Sequence, residues 1–129
     1  MAAKDGGSEG EEFVYRISTA KEWEELQKNG SIYGGELDKS TGCFHLSKLD
    51  QVRPTLQKFF MNVKEDLYLL QIDAKKPGDG LIYELVDGVH RFPHFYGPSP
   101  RFCPLPLDVV TKAEKLSLSG GQYSCGLLN

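Results

Sequence analysis

The sequence predicts an α+β domain, a small split or mixed β-sheet with two main helices. Three observations predict it. The 129 residues, 40% hydrophobic and 26% charged, suffice for one domain with its own core and no covalent staples. Two segments carry helix-start signals followed by apolar residues at helical spacing. The other apolar residues gather in short runs bounded by Gly, Pro, Asn and Asp, as strands do.

Residues 1–12 are small, acidic and Gly-rich, too poor in apolar surface to offset the entropy of ordering, and read as a loose tail. The folded part is expected to run from 13 to 116. Residues 13–18 alternate as a strand, with Phe13, Tyr15 and Ile17 on one side and Val14, Arg16 and Ser18 on the other. Thr19-x-x-Glu22 is a capping box, Ala20, Trp23 and Leu26 follow at helical spacing, and Asn29-Gly30 stops the helix. Residues 31–37 are poorly patterned, and Asp38-Lys39-Ser40-Thr41-Gly42 reads as a turn that delivers a strand over 43–46. Ser47-x-x-Asp50 resembles a second capping box, and Val52, Leu56, Phe59 and Phe60 recur at i, i+4, i+7 and i+8. Pro54 is tolerated only within a first turn, which moves the regular helix start to Asp50 or Gln51.

The Leu/Tyr/Ile run over 67–72 is read as a central strand and residues 75–80 as a loop. Residues 81–86 and 89–92, joined by Asp87-Gly88, form a hairpin with a type I′ turn signal. Residues 98–106 are Pro-rich and irregular, and a further strand centres on Val109 and Val110. From 117 to 129 Gly and Ser return, so this end reads as a flexible tail with Leu127 and Leu128 as its only anchors.

A net charge of −3 and a pI near 5.6 give no electrostatic reason to expect a nucleic-acid partner. No apolar run approaches the roughly 20 residues that span a bilayer, and the N-terminus looks like neither a signal nor a transit peptide. A soluble, cytoplasmic, monomeric protein is the expectation. Cys43, Cys103 and Cys125 form an odd, scattered set, which favours free thiols in a reducing compartment. On a strand, Cys43 and His45 stand about 7 Å apart at i and i+2, too far for a thiol-imidazole pair, so Cys43 reads as a small semi-buried thiol. A zinc site from Cys43, His45 and His94 would lack the usual paired ligand spacing, and no metal is expected.

Side chains able to do chemistry concentrate in two motifs. Phe92-Pro93-His94-Phe95-Tyr96-Gly97-Pro98 places an imidazole and a phenol at i and i+2, hence on one face of an extended segment. Gly42-Cys43-Phe44-His45-Leu46-Ser47 turns Phe44 and Leu46 inward and leaves Cys43, His45 and Ser47 on the opposite side. Both motifs therefore offer polar faces to a cleft lined by strands, where His45, Ser47, His94 and Tyr96 are expected to converge.

The order of these segments resembles the family known as domain of unknown function 952. The resemblance is carried by Tyr15-x-Ile17 before a Trp23-containing helix, Gly42-x-Phe44-His45-Leu46-Ser47, Phe59-Phe60, Asp66-Leu67-x-Leu69-Leu70-x-Ile72-Asp73, Tyr83-Glu84, Phe92-Pro93-His94-x-Tyr96-Gly97-Pro98 and Leu105-Pro106-Leu107. It covers roughly residues 13 to 116, and the wording over 21–26 and 67–84 looks closest to plant members. The resemblance implies an ADP-ribosyltransferase-like fold, whose relatives hold NAD in a cleft of a split sheet. It further implies Arg16 at a first-strand position where other members usually have His, His45 and Ser47 at the second motif, and Glu84 as the carboxylate that engages the nicotinamide ribose. His94 and Tyr96 belong to the family's own signature.

Each of these residues has a plainer role available. Glu84 shares a face with Ile82 and Val86, His45 could donate to a backbone carbonyl, Arg16 could be a solvated strand residue, and His90 beside the turn reads as exposed. The expected function is binding of NAD, ADP-ribose or a related nucleotide through Arg16, His45, Ser47, His94 and Tyr96, with weak or absent turnover. The alternatives are an NAD-dependent transferase or glycohydrolase with Glu84 as catalytic carboxylate, and a non-catalytic protein-interaction domain.

Overall fold

In the computed structural model residues 11–77, 80–86, 88–96 and 104–128 are described. The chain passes through β1 (Phe13–Thr19), α1 (Ala20–Asn29), β2 (Ser31–Ile32), α2 (Glu36–Thr41), β3 (Phe44–His45) and α3 (Leu49–Phe59). It continues through β4 (Leu67–Asp73), β5 (Leu81–Leu85), β6 (Arg91–Phe95), β7 (Leu105–Pro106), β8 (Val110–Lys115), β9 (Ser117–Ser119) and β10 (Gln122–Ser124). This is a mixed α+β arrangement of small antiparallel sheets. One sheet has the order β1-β4-β8 and a second the order β3-β6-β5, while β2 pairs with β7 and β9 with β10.

Strand β1 shows why the sheets stack. Its alternation sends Val14 to one side, with Leu70 and Ile72, and Tyr15 to the other, with Leu67 and Leu69. On the Val14 side the inward face of the second sheet (Phe44, Leu46, Leu81, Tyr83, Phe95) and Leu26 of α1 close the larger cluster. On the Tyr15 side Val52 and Leu56 of α3 close a second cluster with Leu116 and Tyr123. The two sheets are stitched together where Tyr15 and Ser47 exchange both backbone hydrogen bonds at 2.8 Å.

Thr19 caps α1 through a 3.1 Å bond from the Glu22 N–H, and Gly30 ends it in the left-handed region at φ 81°. The other half of that capping box is absent because the Glu22 carboxylate is held by Arg16. Helix α3 begins at Leu49, slightly before the expected Asp50 or Gln51. Gln51 secures that start, its Oε1 accepting the Lys48 N–H at 2.9 Å and its Nε2 donating to the Arg91 carbonyl at 2.7 Å. Pro54 sits inside the helix rather than in its first turn. The β5–β6 hairpin closes by a Val86 N–H to His90 carbonyl bond, leaving three residues between the partners instead of the two of a type I′ turn.

Two expectations are corrected. The stretch read as unpatterned chain and a turn contains α2, whose start is fixed by Asp38 accepting the Gly35 N–H at 2.8 Å. The C-terminal segment is not a frayed tail: β9 and β10 form a hairpin docked on α3, with Tyr123 only 7% exposed and its hydroxyl donating to the Phe60 carbonyl at 2.9 Å. Arg53 and Gln57 of α3 reach the carbonyls of Leu128 and Gly121 from the helix side. Residues 1–10 of the expected N-terminal tail, together with Gly97, Pro98 and Cys103, lie outside the described residues.

Candidate functional site

In the second sheet His45 lies directly opposite His94, and Ile82 is opposite His94 on the other flank. Cross-strand partners share a face, so one surface carries His45, His94, Glu84 and Tyr96 while Phe44, Pro93 and Phe95 pack inward. The His45 and His94 rings meet edge to face at 4.8 Å. The two motifs separated in sequence thus come together.

The centre of the group is Glu84. Its Oε1 takes a 2.7 Å hydrogen bond from His94 Nδ1 and another of 2.7 Å from the Tyr96 hydroxyl. Its other oxygen, Oε2, has no hydrogen-bond partner among the described residues, and the side chain keeps 39% of its surface exposed. Burial pushes the carboxyl up, yet the bonds from His94 and Tyr96 prevail and hold it below the usual glutamate value. The same bond to Glu84, with burial second, pushes the Tyr96 phenol well above its usual range, so it stays a donor.

His45 is fixed from three sides. The Thr41 hydroxyl donates to the Leu37 carbonyl at 2.7 Å and meets His45 Nε2 at 2.9 Å, a network that assigns the proton to Nε2 and leaves Nδ1 as an acceptor. The His45 N–H bonds to Asp38 Oδ1 at 3.0 Å and its carbonyl accepts from Arg16 at 3.2 Å. Burial, then the neighbouring His94, push the imidazole below its ordinary value, so near neutrality it is uncharged. Cys43 is 3% exposed, and the Thr41 hydroxyl lies 3.8 Å from its sulfur. Burial raises that thiol, which makes it a poor nucleophile.

Arg16 is neither solvated nor free to hold a phosphate. It is 6% exposed, and its Nε and Nη2 donate to Glu22 at 3.0 and 2.7 Å. Nη1 and Nη2 donate to Asp38 at 3.0 and 2.9 Å, and the bond to the His45 carbonyl uses the last of the five N–H groups. The guanidinium also lies 5.3 Å from the Phe44 ring centroid. Its place is behind the site, supporting β3. Ser47 does not join the network either: it is 5% exposed, and its backbone is given to Tyr15. Among the described residues no three His, Cys, Asp or Glu side chains are grouped to hold a metal.

Sequence reasoning missed Asp38, Glu22 and Thr41. From the sequence Glu22 reads wholly as a capping residue, whereas Asp38 and Thr41 fall in a segment that reads as a turn. The signal available was an arginine on an inward-facing strand position, which requires carboxylates nearby.

The chain matches the family model described as "Protein of unknown function (DUF952)" over residues 17–113. It is similar to the crystal structure of protein CC0527 from Caulobacter crescentus, with 32% identity and a TM-score of 0.75, covering 87% of this chain and 93% of that one. The solution NMR structure of CC0527 gives 32% identity and a TM-score of 0.71 over 86% of this chain and 90% of that one. No curated protein matches the chain. With both His motifs and the Glu84 carboxylate that binds His94 and Tyr96 inside the matched span, the chain belongs to the DUF952 family.

Proposed function

We propose that the His45–His94–Glu84–Tyr96 face binds NAD, ADP-ribose or a related nucleotide, with weak or absent turnover, as the resemblance to ADP-ribosyltransferase-like proteins implies. The observation that carries it is the half-clamped carboxylate of Glu84: two donors orient one oxygen of a side chain that keeps 39% of its surface exposed, and Oε2, without a partner among the described residues, is left to accept from the hydroxyls of a ribose. The neutral His45 ring offers an acceptor and a flat edge beside it. Two donors on one oxygen also draw charge from the carboxylate, which weakens its ability to stabilise a ribosyl cation and favours binding over catalysis.

An active NAD-dependent transferase or glycohydrolase is the second reading, favoured by Glu84 staying ionised at neutral pH. Calorimetric titration with NAD, ADP-ribose and nicotinamide, beside an assay of nicotinamide release, separates the two. Binding of a ribosyl ligand, weakened about ten-fold or less by Glu84→Gln and with no release, supports the first. Release that drops by at least ~100-fold in Glu84→Gln with affinity retained supports the second. Absence of binding by all three ligands sinks both.

A further inference from the structure

A second feature lies one strand pair away, on the far side of Phe92, which sits opposite Glu84 in the sheet register. There a groove of about 580 Å³ runs between α3 and the β5–β6 hairpin. Its helix wall is the stripe Lys48, Gln51, Thr55 and Lys58, spaced three or four residues apart and hence on one face. Its floor is set by the Gln51 bond to the Arg91 carbonyl, which holds helix and hairpin at a fixed separation.

The walls combine apolar and basic side chains. Apolar side chains stand out of the surface here: Phe59 is 66% exposed, Val86 59% and Val89 74%. Isolated exposed apolar groups are ordinary, but several on both walls of one groove mark a contact surface. Around them the groove is basic. Among the described lining residues Lys48, Lys58 and Arg91 face one acid, Asp50, in a chain that as a whole has more Asp and Glu (18) than Lys and Arg (15). The Lys58 ammonium lies 5.4 Å from the Phe59 ring centroid, so charge and apolar surface are presented together.

We infer that this groove docks an acidic peptide segment of a protein partner, with an aromatic or aliphatic side chain of that segment packing among Phe59, Val86 and Val89 while its carboxylates meet Lys58 and Arg91. Charge complementarity selects this occupant: an apolar surface alone would accept many, whereas cations set beside it disfavour basic partners and steer acidic ones. The span from Lys48 to Phe59, about 16 Å at the helical rise, fits roughly five extended residues. The inference does not depend on nucleotide binding at Glu84.

The test is selection from a displayed library of random dodecapeptides on the full chain, followed by fluorescence anisotropy of the enriched peptides. Enrichment of sequences that combine Asp or Glu with Phe, Trp or Leu is expected, with binding that weakens as salt is raised. Affinity should fall at least about ten-fold in Lys58→Glu/Arg91→Glu and in Phe59→Ala. All these side chains are on the groove surface, so circular dichroism and the thermal midpoint should show the fold intact, and His45→Ala should leave peptide affinity unchanged. No enrichment, enrichment without acids, or binding indifferent to the groove variants overturns the proposal. It is also overturned if a chain beginning at Glu11 binds far more tightly, which would make the acidic N-terminal segment the occupant, or if Phe59→Ala dissolves a dimer seen by sedimentation.

Discussion

Asp38 is 4% exposed and receives four hydrogen bonds, two from the Arg16 guanidinium and one each from the N–H groups of Gly35 and His45. Burial alone would raise its carboxyl, but the Arg16 bonds and charge, aided by the two backbone donors, bring it below the ordinary aspartate value. A lowered folded pKa gives stability that is fully present above the unfolded value, near 3.9, and is lost as pH falls through the folded one. Asp38→Asn is therefore expected to cost about 2–3 kcal/mol at pH 7, since it removes one of the two carboxylates that hold the buried Arg16 and leaves Glu22 as the other. Denaturant titrations of both proteins from pH 7 down to about 2 should show the gap narrowing below about pH 4; a gap constant across that range would remove Asp38 as a source of acid lability. At this scale the sequence was informative about which faces Arg16, His45 and His94 occupy, because alternation on a strand is local. It was silent on the partners of Arg16, because those come from α1 and α2 and are brought in only by folding.

At the scale of elements, strands and helices with strong periodicity were legible, and the misses share one cause. Neither α2 nor the β9–β10 hairpin has enough apolar residues for a pattern of its own; each is held by contacts to distant segments. For α2 the holding contact is Asp38 to Arg16, and for the hairpin it is Tyr123 against α3, with Arg53 and Gln57 reaching its carbonyls. The hairpin reverses a stability expectation. A chain ending at Leu116 exposes Val52 and Leu56 where Tyr123 packs, so its thermal midpoint should drop clearly, and Tyr123→Ala by itself should cost about 3 kcal/mol. Differential scanning calorimetry decides it, since an unchanged midpoint would mean that the hairpin adds nothing to the fold.

Over the whole molecule, β1 and β4 each supply side chains to both hydrophobic clusters, so neither cluster can be lost while the other keeps its wall. Val14 and Tyr15 are adjacent residues on opposite sides of one strand, as are Leu69 and Leu70. This arrangement predicts a single cooperative transition. Trp23, the sole tryptophan, packs against the Val14 cluster, whereas α3 and the C-terminal hairpin belong to the Tyr15 cluster. Fluorescence of Trp23 and far-ultraviolet circular dichroism should therefore give one midpoint in urea. The sharper test uses Tyr123→Ala, which touches only the Tyr15 cluster: it should lower the midpoint seen by Trp23 as far as the one seen by circular dichroism, because the shared strands carry the loss across. If Trp23 kept its wild-type midpoint, the two sides would be separate folding units, and the site on the second sheet would be insulated from changes at α3 and the groove beside it.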